Sequence, residues 1–376
     1  MFILVLFLFS FAYFLLILRF NIGFDKCEQI ENQHKEAQES FSIVVPFRNE
    51  KHNLPILLAS FTKLNYPKSK YEIIFIDDDS EDNSKNVIEA WRAKKPKIKT
   101  SILNNKRLTN SPKKDALTLA ISKSNYPWIV TTDADCKILE NWLTMFNQII
   151  ISKQPYFIAA PVKFTKENSF LFEFQNLNFL ALIGSTIGAF GFNKPFICNG
   201  ANLCYSKEVF NEVNGFEGNS KIASGDDVFL LEKIIKNNSE KAIYLKSKDA
   251  IIETKSEPNW NSFIQQQLRW ASKTGNYTNW FSKGIGFIVF LQNLLLVIGM
   301  ISALFNTNYF KYVFIVFLLK LVIDFILIKK TVQFVESKIN MLNYIFSSLI
   351  YPFFVSYIAL ISSFKNYEWK GRVFKS

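Results

Sequence analysis

Four long apolar segments lie at the two ends of the chain and leave a polar middle between them. The first covers residues 1–18 and is closed by Arg19, and three more cover 285–304, 309–328 and 341–361. About 20 apolar residues suffice to cross the hydrocarbon core of a bilayer, so each segment predicts a membrane span. The first lacks the basic start and the cleavage site of a signal peptide, and we interpret it as a retained anchor.

The middle of the chain has ordinary globular composition and is long enough to bury its own core. The whole chain has 376 residues, which allows about two domains, or one domain plus a membrane portion. The predicted parts are an anchor (1–20), a linker or short helix (21–40), a globular domain (41–283), a membrane region of about three helices (284–364) and a tail (365–376).

The net charge of +12 does not predict a nucleic-acid-binding protein. Residues 91–114 contain nine Lys or Arg and no acid, but they match no nucleic-acid-binding module. A basic domain tethered to a membrane faces an anionic lipid surface or guides an anionic substrate. We therefore expect a lipid bilayer as a partner and no nucleic acid.

The spacing of the cysteines and the small number of histidines argue against a zinc site and against chemistry that uses a histidine base. The four cysteines show no C-x-x-C pair, which fits a reducing compartment and carries no zinc-site spacing. The two histidines, His34 and His52, give little support to chemistry that needs a histidine base.

Strands and helices alternate in the first half of the globular domain. Apolar β-branched runs at 41–46, 71–76 and 127–130 predict buried strands, and the segments between them show helical spacing. This alternation predicts an α/β fold with a mostly parallel sheet, in which ligands bind beyond the carboxyl ends of the strands.

Acidic clusters follow two of these predicted strands. Asp77, Asp78 and Asp79 end one strand, and Asp133 and Asp135 follow another. Two carboxylates at i and i+2 suit Mg²⁺ or Mn²⁺, which keep room for substrate phosphates. The alternative is a solvated turn, in which Asp is common. The position of both clusters at the sheet edge favours a metal and phosphate site.

Five motifs, in order and at sensible spacing over residues 42–270, resemble the family 2 glycosyltransferases, in particular the membrane-bound cellulose, chitin and poly-N-acetylglucosamine synthases and ceramide glucosyltransferase. They are Val45-Pro46 with Asn49-Glu50, Ile76-Asp77-Asp78-Asp79-Ser80, Asp133-Ala134-Asp135, Gly225-Asp226-Asp227 and Gln266-Gln267-Leu268-Arg269-Trp270.

The resemblance implies a GT-A-type nucleotide-sugar-binding domain and an inverting, metal-dependent hexosyltransferase. Such an enzyme moves a sugar from a nucleotide diphosphate donor, here a UDP-sugar, to a lipid or growing saccharide. The implied general base is Asp227, which would take the proton of the acceptor hydroxyl. Without the resemblance, Gly225-Asp226-Asp227 would indicate only a helix N-terminus.

The other implied roles divide between the donor, the metal and the acceptor. Three sets of positions match the family: Pro46, Glu50, Asp78, Lys113 and Asp133 for the donor; Asp133 and Asp135 for the metal; and Asn202, Asp226, Gln266, Arg269 and Trp270 for the acceptor and diphosphate. The sequence departs from the family at Asp79 and Pro112, where glycine is usual, and at Asp226, where Glu is frequent. Lys114 is an alternative phosphate contact, and a solvated charge is the simpler interpretation of either lysine.

Two other functions stay open from the sequence. A nucleotidyltransferase also uses a parallel sheet and metal-binding acids, and a non-catalytic membrane subunit can keep the fold. The glutamine, arginine and tryptophan motif argues against the first, and the complete set of acids argues against the second.

We expect an integral protein of the cell inner membrane with its catalytic domain in the cytoplasm, where nucleotide sugars are made. If 341–361 crosses the bilayer, the basic tail lies outside, against the positive-inside rule. Length favours the full span, and a re-entrant segment containing Pro352 is the alternative.

Overall fold

The computed structural model describes residues 1–220, 222–362 and 364–374, so the last two residues of the predicted tail lie outside the described residues. The chain forms two compact units. One, the sheet unit, comprises Cys27–Thr165 and Asn193–Lys255. The other, the helical unit, comprises Met1–Lys26, Lys166–Phe192 and the chain from Ser256 onward.

The strands within the described residues are β1 (Phe41–Phe47), β2 (Tyr71–Asp77), β3 (Thr100–Asn104), β4 (Trp128–Thr131), β5 (Phe157–Ala159), β6 (Val162–Phe164), β7 (Leu203–Ser206), β8 (Ala242–Tyr244), β9 (Ile252–Thr254), β10 (Tyr367–Trp369) and β11 (Arg372–Phe374). The α-helices are α1 (Phe2–Lys26), α2 (Leu54–Thr62), α3 (Ser84–Lys94), α4 (Pro112–Lys123), α5 (Trp142–Lys153), α6 (Phe170–Phe190), α7 (Lys207–Glu212), α8 (Asp226–Asn238), α9 (Trp260–Ser272), α10 (Trp280–Phe305), α11 (Phe310–Val335) and α12 (Met341–Ile361).

The sheet unit is built on a seven-stranded sheet with the order β3-β2-β1-β4-β7-β5-β8. The first four strands are parallel, β7 is antiparallel to both of its neighbours, and β5 pairs with β8 in parallel. A small second sheet pairs β6 with β9. The predicted α/β fold class with a mostly parallel sheet is confirmed.

The central strands form because their residues are apolar on both faces. Nearly every residue of β1 and β2 is buried, as expected of parallel strands covered on both sides. Their register pairs Phe41 with Tyr71 and Phe47 with Asp77. The two strands therefore end level with each other, and the loops that follow them start from one edge.

The predicted linker is not a helix beyond α1. Residues 27–40 run extended along α5 and are held by amide side chains: Gln148 donates to the Glu31 carbonyl at 2.8 Å, and Asn147 donates to the Glu36 carbonyl at 2.9 Å. Backbone polar groups of this segment are thus satisfied by side chains of α5 rather than by a helix of its own.

The helical unit contains α1, α6 and α9 to α12, with the hairpin β10–β11. The helices α1 and α6 cross with almost no side chain between them, because a Cβ placed on Gly23 or Gly188 would collide with the backbone of the other helix. The predicted bounds 41–283 of the globular domain remain a prediction, and contacts group α6 and α9 with the terminal helices.

Three helices of the described chain are long and apolar enough to cross a membrane: α1, α10 and α12. The helix α11 is equally long but carries Lys320 and Asp324 one turn apart, which form an ion pair. Tyr13 of α1 donates to Asp324 at 2.8 Å. The charges are therefore compensated inside the helix group, where ionisable residues of membrane helices usually lie.

Candidate active site

The predicted acids follow the parallel strands at one edge of the central sheet. Asp77 is the last residue of β2, and Asp133 lies two residues after the end of β4. The Asp78 N–H donates to the Phe47 carbonyl at 2.9 Å, which joins the ends of β1 and β2. Ligands of open α/β sheets bind at this edge, so the topology gathers the predicted donor residues where a ligand is expected.

Lys113, at the start of α4, joins two of the acidic motifs. Its Nζ atom lies 2.8 Å from Asp133 Oδ1 and 3.4 Å from Asp226 Oδ2. Burial alone would lower the pKa of this ammonium, but the Asp133 and Asp226 carboxylates outweigh burial and raise the pKa. Lys113 therefore stays protonated between the carboxylates.

The neighbouring lysine does not share this position. Lys114 is 2% exposed, and its Nζ donates to the Asn219 and Ile222 carbonyls at 2.8 and 2.9 Å. Of the two lysines that the sequence offered for a phosphate, Lys113 is the one that contacts the acidic motifs.

The Asp135 carboxylate accepts from Thr254 Oγ1 at 3.2 Å, whereas that of Asp133 contacts Lys113. Burial, helped by Asp135 and Asp133, raises the pKa of the Cys136 thiol well above its usual value. Cys136 is thus a protonated, buried residue that supports the loop.

Asp78 is held by two side chains that sequence reasoning missed. Its Oδ1 accepts from Asn105 Nδ2 at 2.8 Å and from Arg107 Nε at 3.1 Å, and Arg107 also pairs with Asp79 at 2.9 Å. Arg107 lies in the basic stretch that we assigned to a membrane surface or an anionic substrate. Only its distance from Asp78 reveals this positioning role.

Arg48 adds a second cation at this edge. It donates to the Asp78 carbonyl at 3.0 Å, contacts the Asp79 carbonyl and pairs with Glu81 at 2.7 Å. In the sequence, the sign that Arg48 belongs to the site was its position between Pro46 and Glu50 in the first motif. Pro46 lies near the end of β1, while Glu50 is 5% exposed and accepts from Asn53 Nδ2 at 2.7 Å.

Asp226 and Asp227 open the helix α8, and Gly225 is its N-cap with φ +84°. This backbone conformation favours glycine, and acids are favoured in a first helical turn. Asp227 Oδ2 accepts from the Gly200 N–H at 3.2 Å, and Oδ1 accepts from the Val228 N–H at 2.8 Å. Both oxygens are therefore oriented by backbone donors.

Gly200 allows the neighbouring loop to approach these acids. A Cβ at this position would lie 3.1 Å from Asp226 Oδ2, 3.4 Å from Asp227 Cβ and 3.6 Å from Lys113 Nζ. The predicted acceptor residue Asn202 follows in the same loop, but its side chain is buried. Its amide donates to the Pro161 and Ala250 carbonyls at 2.7 and 2.9 Å, so Asn202 fixes the loop and offers no exposed atom.

Gln266, Arg269 and Trp270 lie on α9 in the helical unit. Gln266 Nε2 donates to Glu257 at 3.0 Å, whereas its buried Oε1 accepts from no described residue. The Trp270 ring lies 6.4 Å from that of Phe179. The predicted helix is present, and one of its amide acceptors has no donor among the described residues.

The oxygen donors Asp133 and Asp135 suit Mg²⁺ or Mn²⁺, and either ion binds proteins through one or two carboxylates plus substrate phosphates. The Asp133 side chain is 37% exposed and so accessible to a cation. No group of three or more His, Cys, Asp or Glu is arranged for a metal within the described residues. By its chemistry, the donor set would suit an ion that takes most of its ligands from substrate.

A mostly parallel sheet with acidic motifs at its carboxyl edge is the arrangement expected of a glycosyltransferase domain of the GT-A type. A family model described as glycosyl transferase family 21 matches residues 2–376. The chain belongs to this glycosyltransferase family, and the predicted resemblance is confirmed.

Relatives in sequence are glycosyltransferases. The chain is 25% identical over 127 residues to glycosyltransferase AglE of Haloferax volcanii, a match that covers 34% of this chain and 40% of the relative. It is 33% identical over 104 residues to an undecaprenyl-phosphate 4-deoxy-4-formamido-L-arabinose transferase of Shewanella sediminis. This match covers 27% of this chain and 30% of the relative. The matches thus span less than half of the length of these two relatives.

A solved structure shows the same fold. The mannosyltransferase PcManGT from Pyrobaculum calidifontis, in complex with GDP-Man and Mn²⁺, superposes with a TM-score of 0.60 at 14% identity. The superposition covers 89% of this chain and 98% of that protein. The predicted GT-A-type fold class is confirmed.

Proposed function

We propose that this protein is an inverting glycosyltransferase that moves a sugar from a nucleotide diphosphate donor, first of all a UDP-sugar, to a lipid or growing saccharide acceptor at a membrane. The observation that carries the proposal is the Lys113 ammonium between Asp133 and Asp226, next to Asp227. Lys113 thus links Asp133, which is proposed for the donor, with Asp226, which is proposed for the acceptor and diphosphate.

Asp227 is the proposed general base. The acceptor oxygen forms a bond to the anomeric carbon of the sugar while its proton moves to the Asp227 carboxylate, and the bond from that carbon to the diphosphate breaks. The leaving group is the nucleoside diphosphate, and the configuration at the anomeric carbon inverts. The Gly200 and Val228 N–H groups orient the carboxylate for this transfer.

Lys113 is proposed to stabilise the departing diphosphate. A buried ammonium that stays charged is suited to the negative charge that develops on the leaving group. Asp133 and Asp226 hold it in place and balance its charge before the donor binds. Asp78, aligned by Asn105 and Arg107, is proposed to contact the nucleoside, with Pro46 and Glu50 in the same pocket.

Asp133 and Asp135 are proposed to hold Mg²⁺ or Mn²⁺. When bound, the ion supplies positive charge to the donor diphosphate. The Mn²⁺ in the mannosyltransferase from Pyrobaculum calidifontis supports this proposal, as does the oxygen donor set.

Metal removal is expected to abolish most of the transfer. Excess chelator should reduce activity to the background level, and added Mn²⁺ or Mg²⁺ should restore it. Asp133→Asn should weaken donor binding and turnover together, because this carboxylate contacts Lys113 and is a proposed ligand. Glu240→Gln, in the short turn before β8, is the matched control. Full activity in excess chelator would contradict the proposed metal.

Gln266, Arg269 and Trp270 are proposed to serve the acceptor and the diphosphate. The buried Oε1 of Gln266 accepts from no described residue and is proposed to accept from substrate, such as from a sugar hydroxyl. A guanidinium binds phosphate oxygens in two parallel hydrogen bonds, and an indole face stacks on a sugar ring.

The proposed location is the cell inner membrane, with the sheet unit in the cytoplasm. Its support is the set of three membrane-length helices and the basic residues of the sheet unit.

The products of the reaction test the proposed function. Purified membranes that contain the protein are incubated with single nucleotide sugars, and the released nucleotide and the mass of the product are measured. We expect a nucleoside diphosphate and an acceptor that is heavier by one or more sugars. Release of pyrophosphate would instead indicate a nucleotidyltransferase, and no turnover with any donor would indicate a non-catalytic subunit.

A further inference from the structure

The residues predicted only as a charged tail form a hairpin in the structure. Strands β10 and β11 pair in an antiparallel register, Tyr367 with Phe374 and Trp369 with Arg372. The two turn residues, Lys370 and Gly371, have φ angles of +51° and +73°. Two positive φ angles are typical of the tight type I′ turn, so this short segment is a defined hairpin.

The hairpin packs on α9, the helix that carries Gln266, Arg269 and Trp270. Tyr367 is 2% exposed and forms a buried cluster with Leu268 of α9 and Ile358 of α12. The Glu368 N–H donates to Gln265 Oε1 at 2.9 Å. The hairpin is thus fixed to the motif helix by an apolar contact and by a hydrogen bond.

A third contact reaches Arg269 itself. The guanidinium carbon of Arg269 lies 5.2 Å from the centroid of the Trp369 ring, within the range of a cation–π interaction. A guanidinium stacks readily on an aromatic face, and such a contact restricts the rotamers of the long side chain. Both residues are half-buried, so the pair is neither sealed in the core nor freely solvated.

We propose that the C-terminal hairpin is a positioning element of the active enzyme, in which Trp369 holds the Arg269 guanidinium in the orientation that binds the donor diphosphate. This inference rests on the proposed function. Tyr367 supplies the anchoring contact and Trp369 the orienting contact, so the two strand residues have separable tasks. Trp369 is a positioning residue and makes no substrate contact in this proposal.

The test is a double-mutant cycle in the full-length membrane-embedded protein. Trp369→Ala should raise KM for the nucleotide-sugar donor and lower kcat/KM on the order of tenfold, as expected for one cation–π contact. Trp369→Phe keeps an aromatic face and should retain activity within about threefold. In an Arg269→Ala background, Trp369→Ala should cause no further loss, because residues that act through one contact are not additive.

A merely structural hairpin would give a different pattern. If Trp369→Ala only destabilised the fold, its loss would persist in the Arg269→Ala background, and this result would overturn the proposal. Trp369→Ala with wild-type KM and kcat would overturn it as well. Trp280→Ala, an 84% exposed tryptophan of α10, is the control and should leave activity unchanged.

Sugar transfer by the wild-type protein shows whether the proposed function or only the role of the hairpin has failed. Absence of sugar transfer by the wild type would remove the proposed function itself. Transfer by the wild type with an additive cycle would remove only the role of the hairpin.

Discussion

Asp227→Asn is expected to lower kcat by about 10²–10⁴-fold while the protein still inserts into membranes and binds its donor. The asparagine amide is nearly isosteric with the carboxylate but accepts no proton from the acceptor hydroxyl. Its single amide oxygen can still accept from one of the two backbone donors, the Gly200 N–H or the Val228 N–H, and donor affinity reports whether the α8 N-terminus keeps its geometry. The measured quantities are kcat and, in parallel, the affinity for the donor.

The control for this variant is Asp249→Asn, which makes the same chemical change in the short turn before β9. Its turnover should stay at the wild-type level. Near-normal turnover of Asp227→Asn would show that another group takes the proton, and loss of donor affinity together with turnover would indicate a binding role instead.

A cysteine in the C-terminal hairpin is expected to react with an impermeant thiol reagent only after the cells are permeabilised. We expect α10 to cross the membrane and α11 to return, as their sequences predict, so that α12 begins on the side of the polar helix α9. Ile358, near the end of α12, packs on Leu268 of α9. We therefore expect both ends of α12 on one side of the membrane, as in a re-entrant helix containing Pro352.

Charge agrees with this arrangement. A hairpin on the side of α9 places all basic residues after α11 on the same side, in accordance with the positive-inside rule. These are Lys338, Lys365, Lys370 and Arg372 in the described part of the chain. The sequence alone favoured a full span and an exterior tail, and we now expect the opposite.

The labelling experiment needs three single-cysteine variants in a chain whose four native cysteines are replaced. Val373→Cys reports on the hairpin, where that side chain is 71% exposed. Thr307→Cys, in the exposed turn between α10 and α11, marks one side, and Lys97→Cys, exposed on the sheet unit, marks the other. Ser376 lies outside the described residues and is not used. Equal labelling of Val373→Cys and Thr307→Cys in intact cells would show that α12 crosses.

The strands and their acidic ends were predictable from the sequence because they depend on local pattern. Buried parallel strands are apolar throughout, so β1 and β2 were predicted within one residue of their observed ends. The bounds of α12 were predicted without error because an apolar segment that long between polar residues has one local interpretation. The order of the acidic motifs sufficed to indicate the family.

The pairing of charges was decided by tertiary structure. Lys113 and Asp226 are far apart in the chain, and only the approach of α4 and α8 places the ammonium between two carboxylates. Arg107 and Asp78 meet for the same reason, since β2 and β3 end side by side. Sequence patterns report which residues are charged, whereas the distance between two charges depends on how the chain closes its loops.

The packing of α12 and of the hairpin was also decided by tertiary structure. Length and hydropathy qualify α12 as a span, but the contacts of its last turn with α9 depend on residues about 90 positions earlier in the chain. Trp369 has no signal of its own in the sequence, and its proposed role rests on the 5.2 Å separation from Arg269. The local sequence pattern determines which segments are apolar, and long-range packing determines which residues those segments contact.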